Sequence, residues 1–296
     1  MPEMTRIPEI HESPGHPLGE FWAPIRQHRN HIRRLRTIGP AKSRALLTIV
    51  HNEAVLFPVW LRYYSQFFGP DDIYVIDNGS TDGSTAGHGF VRIDDSNEVF
   101  DNYWILNTVE RYQHELIERY DVVLVTDVDE IVTPVPGWGT LGDYIDEFAE
   151  EYVNCVGYEI VHLKDREPPL DPARPILAQR SYWYAHDGYD KPSLASVPMK
   201  WKPGFHQRED EGFNWDPDLR LIHLHRVDYD LCLARHRKWR SFEWPEKDLE
   251  EGLGTHNRVT DEEGDFQRWF YEDSGFEEQG IHIVLERIPE SWQGQF

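Results

Sequence analysis

Cysteine is nearly absent from this sequence, which holds two cysteines among 296 residues. Cys155 and Cys232 lie far apart in apolar runs and show no spacing typical of a metal-binding pair. We expect buried free thiols in a reducing compartment, with a disulfide as the alternative. Long apolar stretches are absent as well, and the first 20 residues are polar and proline-rich. The sequence therefore predicts no transmembrane segment and a cytoplasmic location.

Basic residues are few, with 30 Lys and Arg against 53 Asp and Glu and a formal net charge of -23. This balance excludes general nucleic-acid binding, which needs a basic surface to neutralise phosphates. An anionic ligand would need a metal ion or a local cationic pocket within the acidic field. Residues 25–44 are locally basic, and we expect a helix there that pairs with the acidic body. Peripheral contact with anionic lipid is the alternative.

The chain does hold enough apolar material to fold, with 39% hydrophobic and 13% aromatic residues. Three continuous apolar runs, Ala45–Val50, Asp72–Ile76 and Asp121–Thr126, are typical of strands covered on both faces of a parallel sheet. Between them, Leu56–Phe68 and Tyr103–Arg119 carry apolar residues at helical spacing. This alternation predicts the α/β class, with a Rossmann-like, mixed but mostly parallel central sheet and helices on both faces.

The pattern is looser beyond residue 133. Asn154–Leu163 and Leu219–Leu224 are interpreted as two further strands, and Leu231–Trp239 as a helix.

Polar clusters follow the first three predicted strands directly, at His51–Glu53, Asp77–Ser84 and Asp127–Glu130. Each cluster alone is explained by turn formation or helix capping, but ligands of open α/β sheets bind at the carboxyl ends of the strands. Asp127 and Asp129 stand two apart, so both carboxylates face one site if the segment is extended. Carboxylates at this spacing suit Mg²⁺ or Mn²⁺.

These segments resemble the glycosyltransferase family 2-like enzymes of the GT-A fold, in the form of a short bacterial-type member. The likeness is carried by Leu46–Tyr64, Ile73–Ser84 and Val122–Glu130, and more loosely by Lys191–His206 and Leu221–Arg237. The resemblance covers about residues 45–133 well. Asn78 departs from the family pattern, in which many members have a second aspartate there.

Three parts of the chain are expected. From composition, residues 1–44 are predicted to form an N-terminal extended arm and basic helix, and residues 251–296 a C-terminal loop and tail. The resemblance implies that residues 45–250 form the GT-A domain. Within the domain, residues 45–133 bind the nucleotide, and residues 134–250 complete the acceptor and metal side.

The implied reaction moves a sugar from a nucleoside-diphosphate sugar, with a UDP-sugar favoured, to a carbohydrate or other hydroxyl acceptor. Mn²⁺ or Mg²⁺ is the implied cofactor. The residues expected to bind the donor are Val50, Asn52, Glu53, Asp77, Asp127, Lys191 and His206. The expected metal ligands are Asp127, Asp129 and His225. His223 is the weaker alternative to His225 as a metal ligand. Lys200 is the weaker alternative to Lys191 as a contact of the diphosphate.

Family 2 enzymes invert the anomeric centre and use one carboxylate as the base. The local match to the late acidic pair of the family is Glu209–Asp210, and we expect Asp210 to be the base. Glu159 and Asp187 are the next candidates. Two other functions stay open: a metallohydrolase that uses His223, His225 and Asp127, and a non-catalytic carbohydrate-binding protein.

Overall fold

The computed structural model describes residues 41–260, 264–272 and 283–296. The strands in this part of the chain are β1 (Arg44–Val50), β2 (Ile73–Asp77), β3 (Val91–Asp94), β4 (Val122–Val125), β5 (Glu130–Pro134), β6 (Tyr152–Val161), β7 (Tyr182–Ala185), β8 (Lys191–Ala195), β9 (Trp215–His223) and β10 (Glu286–Arg287). The α-helices are α1 (Leu56–Tyr64), α2 (Asn102–Ile117), α3 (Leu141–Glu147), α4 (Tyr229–Arg240), α5 (Glu246–Glu250) and α6 (Asp265–Tyr271). The predicted arm and basic helix at 1–44 lie outside the described residues, apart from 41–44.

All the strands belong to one sheet, whose main path runs β10-β7-β6-β8-β4-β1-β2-β3. Strands β3, β2, β1 and β4 are parallel, as predicted for the first three apolar runs. Strand β8 then pairs antiparallel with β4, and β6, β7 and β10 continue in antiparallel pairs. The predicted α/β class with a mixed sheet is confirmed.

Helices cover both faces of the parallel part, because the strands are apolar on both sides. On one face Leu46, Ile73 and Leu124 pack in a core that includes Trp60 of α1. On the other face Leu47 and Val123 pack in a core that includes residues of α2. Asp101 is the N-cap of helix α2, and its carboxylate accepts hydrogen bonds from the N–H groups of the first helical turn.

Strand β9 connects the two predicted halves of the domain and positions the later histidines. It pairs antiparallel with β5, which directly follows the Asp127–Asp129 segment, and parallel with β6. In this register His223 lies between Glu130 of β5 and Glu159 of β6. The carboxyl end of β9 therefore meets the turn after β4.

Helix α4 follows β9 after a short turn and returns across the carboxyl ends of β1 and β4. Its N-cap is Asp228, whose side chain accepts from the Leu231 N–H group at 3.0 Å. The segment after residue 250, predicted as loop and tail, adds α6 and β10 to the fold and buries Trp292 in the main core. No helix of the described residues has the length and apolar character needed to cross a membrane.

Candidate active site

A cavity of about 390 Å³ opens at the carboxyl ends of β1 and β4. This volume lies in the range of small-molecule sites. Its wall contains most of the residues that the sequence predicted to bind the donor or to ligate the metal. These are Val50, Glu53, Asp127, Asp129, Lys191 and His206, together with His223 and His225.

Asp129 is buried in the wall and surrounded by cationic and imidazole groups. Its Oδ2 atom lies 2.7 Å from Nη1 of Arg235, 3.7 Å from Nε2 of His223 and 4.0 Å from Nδ1 of His225. Burial alone would raise the pKa of this carboxyl, but the charges of Arg235 and His223 outweigh burial and lower it below its usual range. Asp129 is thus a carboxylate anion, paired with Arg235.

His223 stands between two carboxylates. Its Nδ1 atom lies 2.5 Å from Oε2 of Glu159, and its Nε2 atom faces Asp129. Burial lowers the pKa of His223, but Glu159 and Asp129 outweigh burial and raise it to about 9. The imidazole therefore carries a proton at neutral pH unless a bound cation displaces it.

His225 follows two residues later and is neutral. Burial, with His236 and Arg235 nearby, lowers the pKa of His225 well below its usual value. The backbone supports its position, since the Leu224 N–H group donates to the Asp129 carbonyl at 2.7 Å.

Asp127 has a different environment from Asp129, although both line the cavity. Its side chain is 40% exposed, and its Oδ2 atom accepts from Nζ of the buried Lys191 at 2.8 Å. The same ammonium lies 2.5 Å from Oε1 of Glu130, whose other oxygen accepts from the Asp127 N–H group. Burial lowers the pKa of Lys191, but the two carboxylates outweigh burial and raise it, so the lysine keeps its charge.

A second cationic group links the turn after β1 to the Asp127–Asp129 segment. Glu53 accepts from Nε of Arg235 at 3.2 Å and from Nζ of Lys238 at 2.8 Å. Because Arg235 also contacts Asp129, one guanidinium joins two strand ends. Arg235 and Lys238 of α4 lie beside the cavity where an anionic ligand would bind.

Sequence reasoning missed Arg235, Lys238 and Glu130, but a signal for Arg235 was present. Leu231, Arg235 and Trp239 recur at four-residue spacing and so share one face of α4. A charged residue on the apolar stripe of a helix indicates a buried ionic partner.

The residues around Asp129 fit a divalent cation. One ligand atom from each of Asp129, His223 and His225 lies within 4.8 Å of the other two. A carboxylate with two imidazoles suits Mn²⁺ better than Mg²⁺, which prefers oxygen ligands throughout. Arg235 supplies a compensating charge on Asp129.

Asp77 and Asn52, both predicted to contact the nucleoside, are not in the cavity wall. Asp77 is fully buried and accepts from the Ser80 N–H group at 2.8 Å and the Thr85 hydroxyl at 2.6 Å. Asn52, at a φ of 53°, accepts from the Thr81 and Asp82 N–H groups. Both side chains therefore hold the loop that follows β2.

Asp77→Ala is therefore expected to lower the free energy of unfolding by about 2–4 kcal/mol, since it removes charged hydrogen bonds and the ion pair with Arg92. Urea denaturation measures the change. Asp94 is the matched control, because it pairs with the same Arg92 but is 78% exposed. Asp94→Ala is expected to change the free energy by less than about 0.5 kcal/mol. Equal effects of the two variants would contradict the structural role of Asp77.

Asp210 and Glu209, the predicted base and its neighbour, do not line the cavity either. Asp210 is exposed, and both its carboxylate oxygens accept from the guanidinium of Arg208, two residues earlier in the same loop. Arg208 lowers the pKa of Asp210. Asp210 as the base stays a prediction from the sequence, and the structure places this residue outside the cavity wall.

The two alternative bases differ in position. Asp187 is 81% exposed beside His186, whereas Glu159 is buried and lines the cavity. Glu159 accepts from the Arg226 N–H group at 2.9 Å as well as from His223. Lys200, the alternative to Lys191, is more than half exposed and pairs with Glu110 away from the cavity.

Comparison with known proteins gives a likeness in structure and none in sequence. No family model and no curated protein sequence matches this chain. Among solved structures, it is similar to the mannosyltransferase PcManGT from Pyrobaculum calidifontis in complex with GDP-Man and Mn²⁺. The two share 16% identity over 81% of this chain and 79% of that chain, with a TM-score of 0.36. The site therefore has to be interpreted from the residues of this chain.

Proposed function

We propose that this protein is a metal-dependent glycosyltransferase that moves a sugar from a nucleoside-diphosphate sugar to an acceptor hydroxyl with inversion. One observation carries the proposal. Two carboxylates and two histidines from separate parts of the chain, Asp127, Asp129, His223 and His225, line one cavity at the carboxyl ends of parallel strands. A UDP-sugar is the favoured donor, and a carbohydrate or other hydroxyl compound is the acceptor.

The residues that would hold the cation are Asp129, His223 and His225, with Asp127 beside them. When bound, Mn²⁺ stabilises the negative charge that develops on the leaving diphosphate. The choice of Mn²⁺ over Mg²⁺ rests on the imidazole ligands.

Two cationic side chains lie where they can contact the diphosphate of the donor. Lys191 and Arg235 are buried, charged and next to the carboxylates of the proposed metal site. When the diphosphate lies against this low-dielectric part of the cavity wall, both side chains are positioned to neutralise its oxygens. Val50 and Glu53, at the end of β1, form the wall on which the nucleoside would lie.

Glu159 is the residue we propose as the base. It lies in the cavity wall with its charge held by His223 and by the Arg226 N–H group. Each carboxylate oxygen has a further lone pair, so Glu159 still has capacity to accept the proton of the acceptor hydroxyl.

A thermal-shift panel of UDP-, GDP-, dTDP- and CMP-sugars, each with and without Mn²⁺, tests the proposed function. A donor present at 100 times its Kd stabilises the fold by about 2.7 kcal/mol, and the effect should require Mn²⁺. Incubation with the preferred donor should then release the free nucleoside diphosphate, by slow hydrolysis or by transfer.

Two outcomes would contradict the proposal. Stabilisation by Mn²⁺ with no response to any nucleotide sugar would favour the metallohydrolase with His223, His225 and Asp127. Donor or sugar binding without turnover in the presence of Mn²⁺ and acceptors would favour a non-catalytic carbohydrate-binding protein.

A further inference from the structure

His225 has a second set of potential ligands, which it reaches through its other ring nitrogen. Its Nδ1 atom faces Asp129, but its Nε2 atom lies 3.0 Å from Nε2 of His236. The two rings meet edge to face, with their centroids 5.2 Å apart. This contact lies outside the ligand set that the proposed transfer reaction uses.

Cys232 completes this set. Cys232 and His236 are four residues apart on α4, so their side chains share one face of the helix. Both are fully buried, and His225 is 7% exposed. One ligand atom from each of His225, Cys232 and His236 lies within 4.8 Å of the other two.

The separations are close to those of a zinc site. With Zn–N bonds of about 2.0–2.1 Å and a Zn–S bond of about 2.3 Å, tetrahedral ligand atoms stand roughly 3.3–3.6 Å apart. Small side-chain rotations would bring the three atoms into that range. A thiolate with two imidazoles is a ligand set that Zn²⁺ prefers and Mg²⁺ and Mn²⁺ do not.

We propose that His225, Cys232 and His236 form a binding site for a zinc-type divalent cation, separate from the carboxylate site at Asp129. The fourth position would be open to a water molecule on the side of His225, which lines the cavity. Binding displaces the thiol proton of Cys232 to solvent, and the sulfur coordinates as a thiolate.

The surroundings of His236 support this assignment. The rings of Trp269, Phe266 and Trp239 lie with centroids 4.4, 5.1 and 5.9 Å from that of His236. An apolar wall of this kind lowers the local dielectric constant and strengthens metal–ligand bonds.

Both sites use His225, and the expectation that follows rests on the proposed function. A cation bound to Nε2 of His225 leaves the ring proton on Nδ1, and that nitrogen then cannot ligate a cation at Asp129. Zn²⁺ is therefore expected to inhibit Mn²⁺-dependent transfer, and Cys232→Ser to relieve the inhibition.

Titration of the full-length, reduced protein with Co²⁺ tests the site directly. Co²⁺ reports a thiolate ligand through a near-ultraviolet charge-transfer band, which the carboxylate site cannot produce. We expect the band to saturate at one equivalent of Co²⁺ and to disappear when Zn²⁺ is added. Cys232→Ser is expected to abolish the band and to weaken Co²⁺ binding at this site by about 100-fold or more, because one of three protein ligands is lost.

Matched variants distinguish coordination by Cys232 from coordination by the other thiol or by the carboxylate site. Cys155 is also fully buried, so Cys155→Ser is the control and should keep the band. Asp129→Asn should keep it too, although that variant is expected to lose donor binding. His236→Gln, which leaves the thiol in place, should weaken binding by a similar factor to Cys232→Ser. Absence of the band in the wild-type protein, its persistence in Cys232→Ser, or unchanged affinity in His236→Gln would overturn the assignment.

Discussion

Asp129→Asn is expected to abolish the Mn²⁺-dependent stabilisation of the protein by its donor. Asp129 is the carboxylate that lies within reach of both His223 and His225. An asparagine keeps the shape but removes a charge and a strong oxygen ligand from a hard-cation site. In the thermal-shift panel, the donor with Mn²⁺ should stabilise the variant no more than the donor alone.

The same substitution has a second expected effect, on the stability of the fold. Asp129 is buried and neutralises Arg235, which would then keep only Glu53 as its anionic partner among the described residues. Breaking a buried ion pair is costly because the remaining charge is poorly compensated. We expect the free energy of unfolding in urea to fall by about 2–4 kcal/mol, and the variant to stay folded if the total stability is typical.

Asp187→Asn is the control for both measurements. Asp187 is another carboxylate of this domain, but its side chain is 81% exposed and outside the cavity wall. Its replacement should change neither the donor response nor the urea midpoint. If Asp129→Asn bound the donor with unchanged dependence on Mn²⁺, the metal site would have to be sought elsewhere.

The parallel part of the sheet was predictable from sequence because each strand is buried on both faces. Ala45–Val50, Asp72–Ile76 and Asp121–Thr126 are continuous apolar runs, and they match β1, β2 and β4 closely. Strand β3 was not predicted, because it is four residues long and its side chains alternate between partly buried and exposed. Strand β5 begins within the Asp127–Glu130 cluster, whose polar character indicated a turn.

Only some features of the proposed metal site were predictable from the sequence. The two-residue spacing of Asp127 and Asp129 predicted that both face one site, and both do line the cavity. The segment lies in a turn between β4 and β5, however, so the two carboxylates pair with different cations, Lys191 and Arg235. Those partners come from distant parts of the chain, and local spacing cannot identify them.

The carboxylate that the sequence predicted first as the base is not the one that the structure places in the cavity wall. Glu209 and Asp210 stand in a run of acidic residues, but Asp210 pairs with the nearby Arg208 and is exposed to solvent. Glu159, a later candidate from the sequence, is one glutamate within an apolar strand. Only the register of β6 with β9 brings it beside His223.

The neighbours of Cys232 were equally hidden from the sequence. Cys232 is not near another cysteine, so its spacing predicted a free thiol. Its partners are His236, one helical turn away, and His225, on the other side of the turn before the helix. A cysteine and a histidine four apart on a helix indicate a metal site only when a third ligand is found in space.

Glu159→Gln is expected to lower the turnover of sugar transfer by about 10²-fold or more while donor affinity changes little. Loss of a general base has this size of effect. Glutamine can still accept a hydrogen bond from the Arg226 N–H group, so the wall of the cavity should keep its shape. It cannot take the proton of the acceptor hydroxyl. In the proposed function the donor is held by the cation and by the end of β1. Glu159 contacts His223 through Nδ1, and the Nε2 atom that faces Asp129 stays in place.

Asp210→Asn is the matched comparison, because it removes the charge of the carboxylate that the sequence predicted first as the base. We expect its turnover to stay within about twofold of wild type, since Asp210 is exposed and paired with Arg208. Both variants are measured at saturating donor and acceptor, with donor binding followed separately by calorimetry. A large loss of turnover in Asp210→Asn with normal turnover in Glu159→Gln would return the base to the acidic loop. The loop would then have to move to the cavity during the reaction, because Asp210 lies outside the cavity wall in this structure.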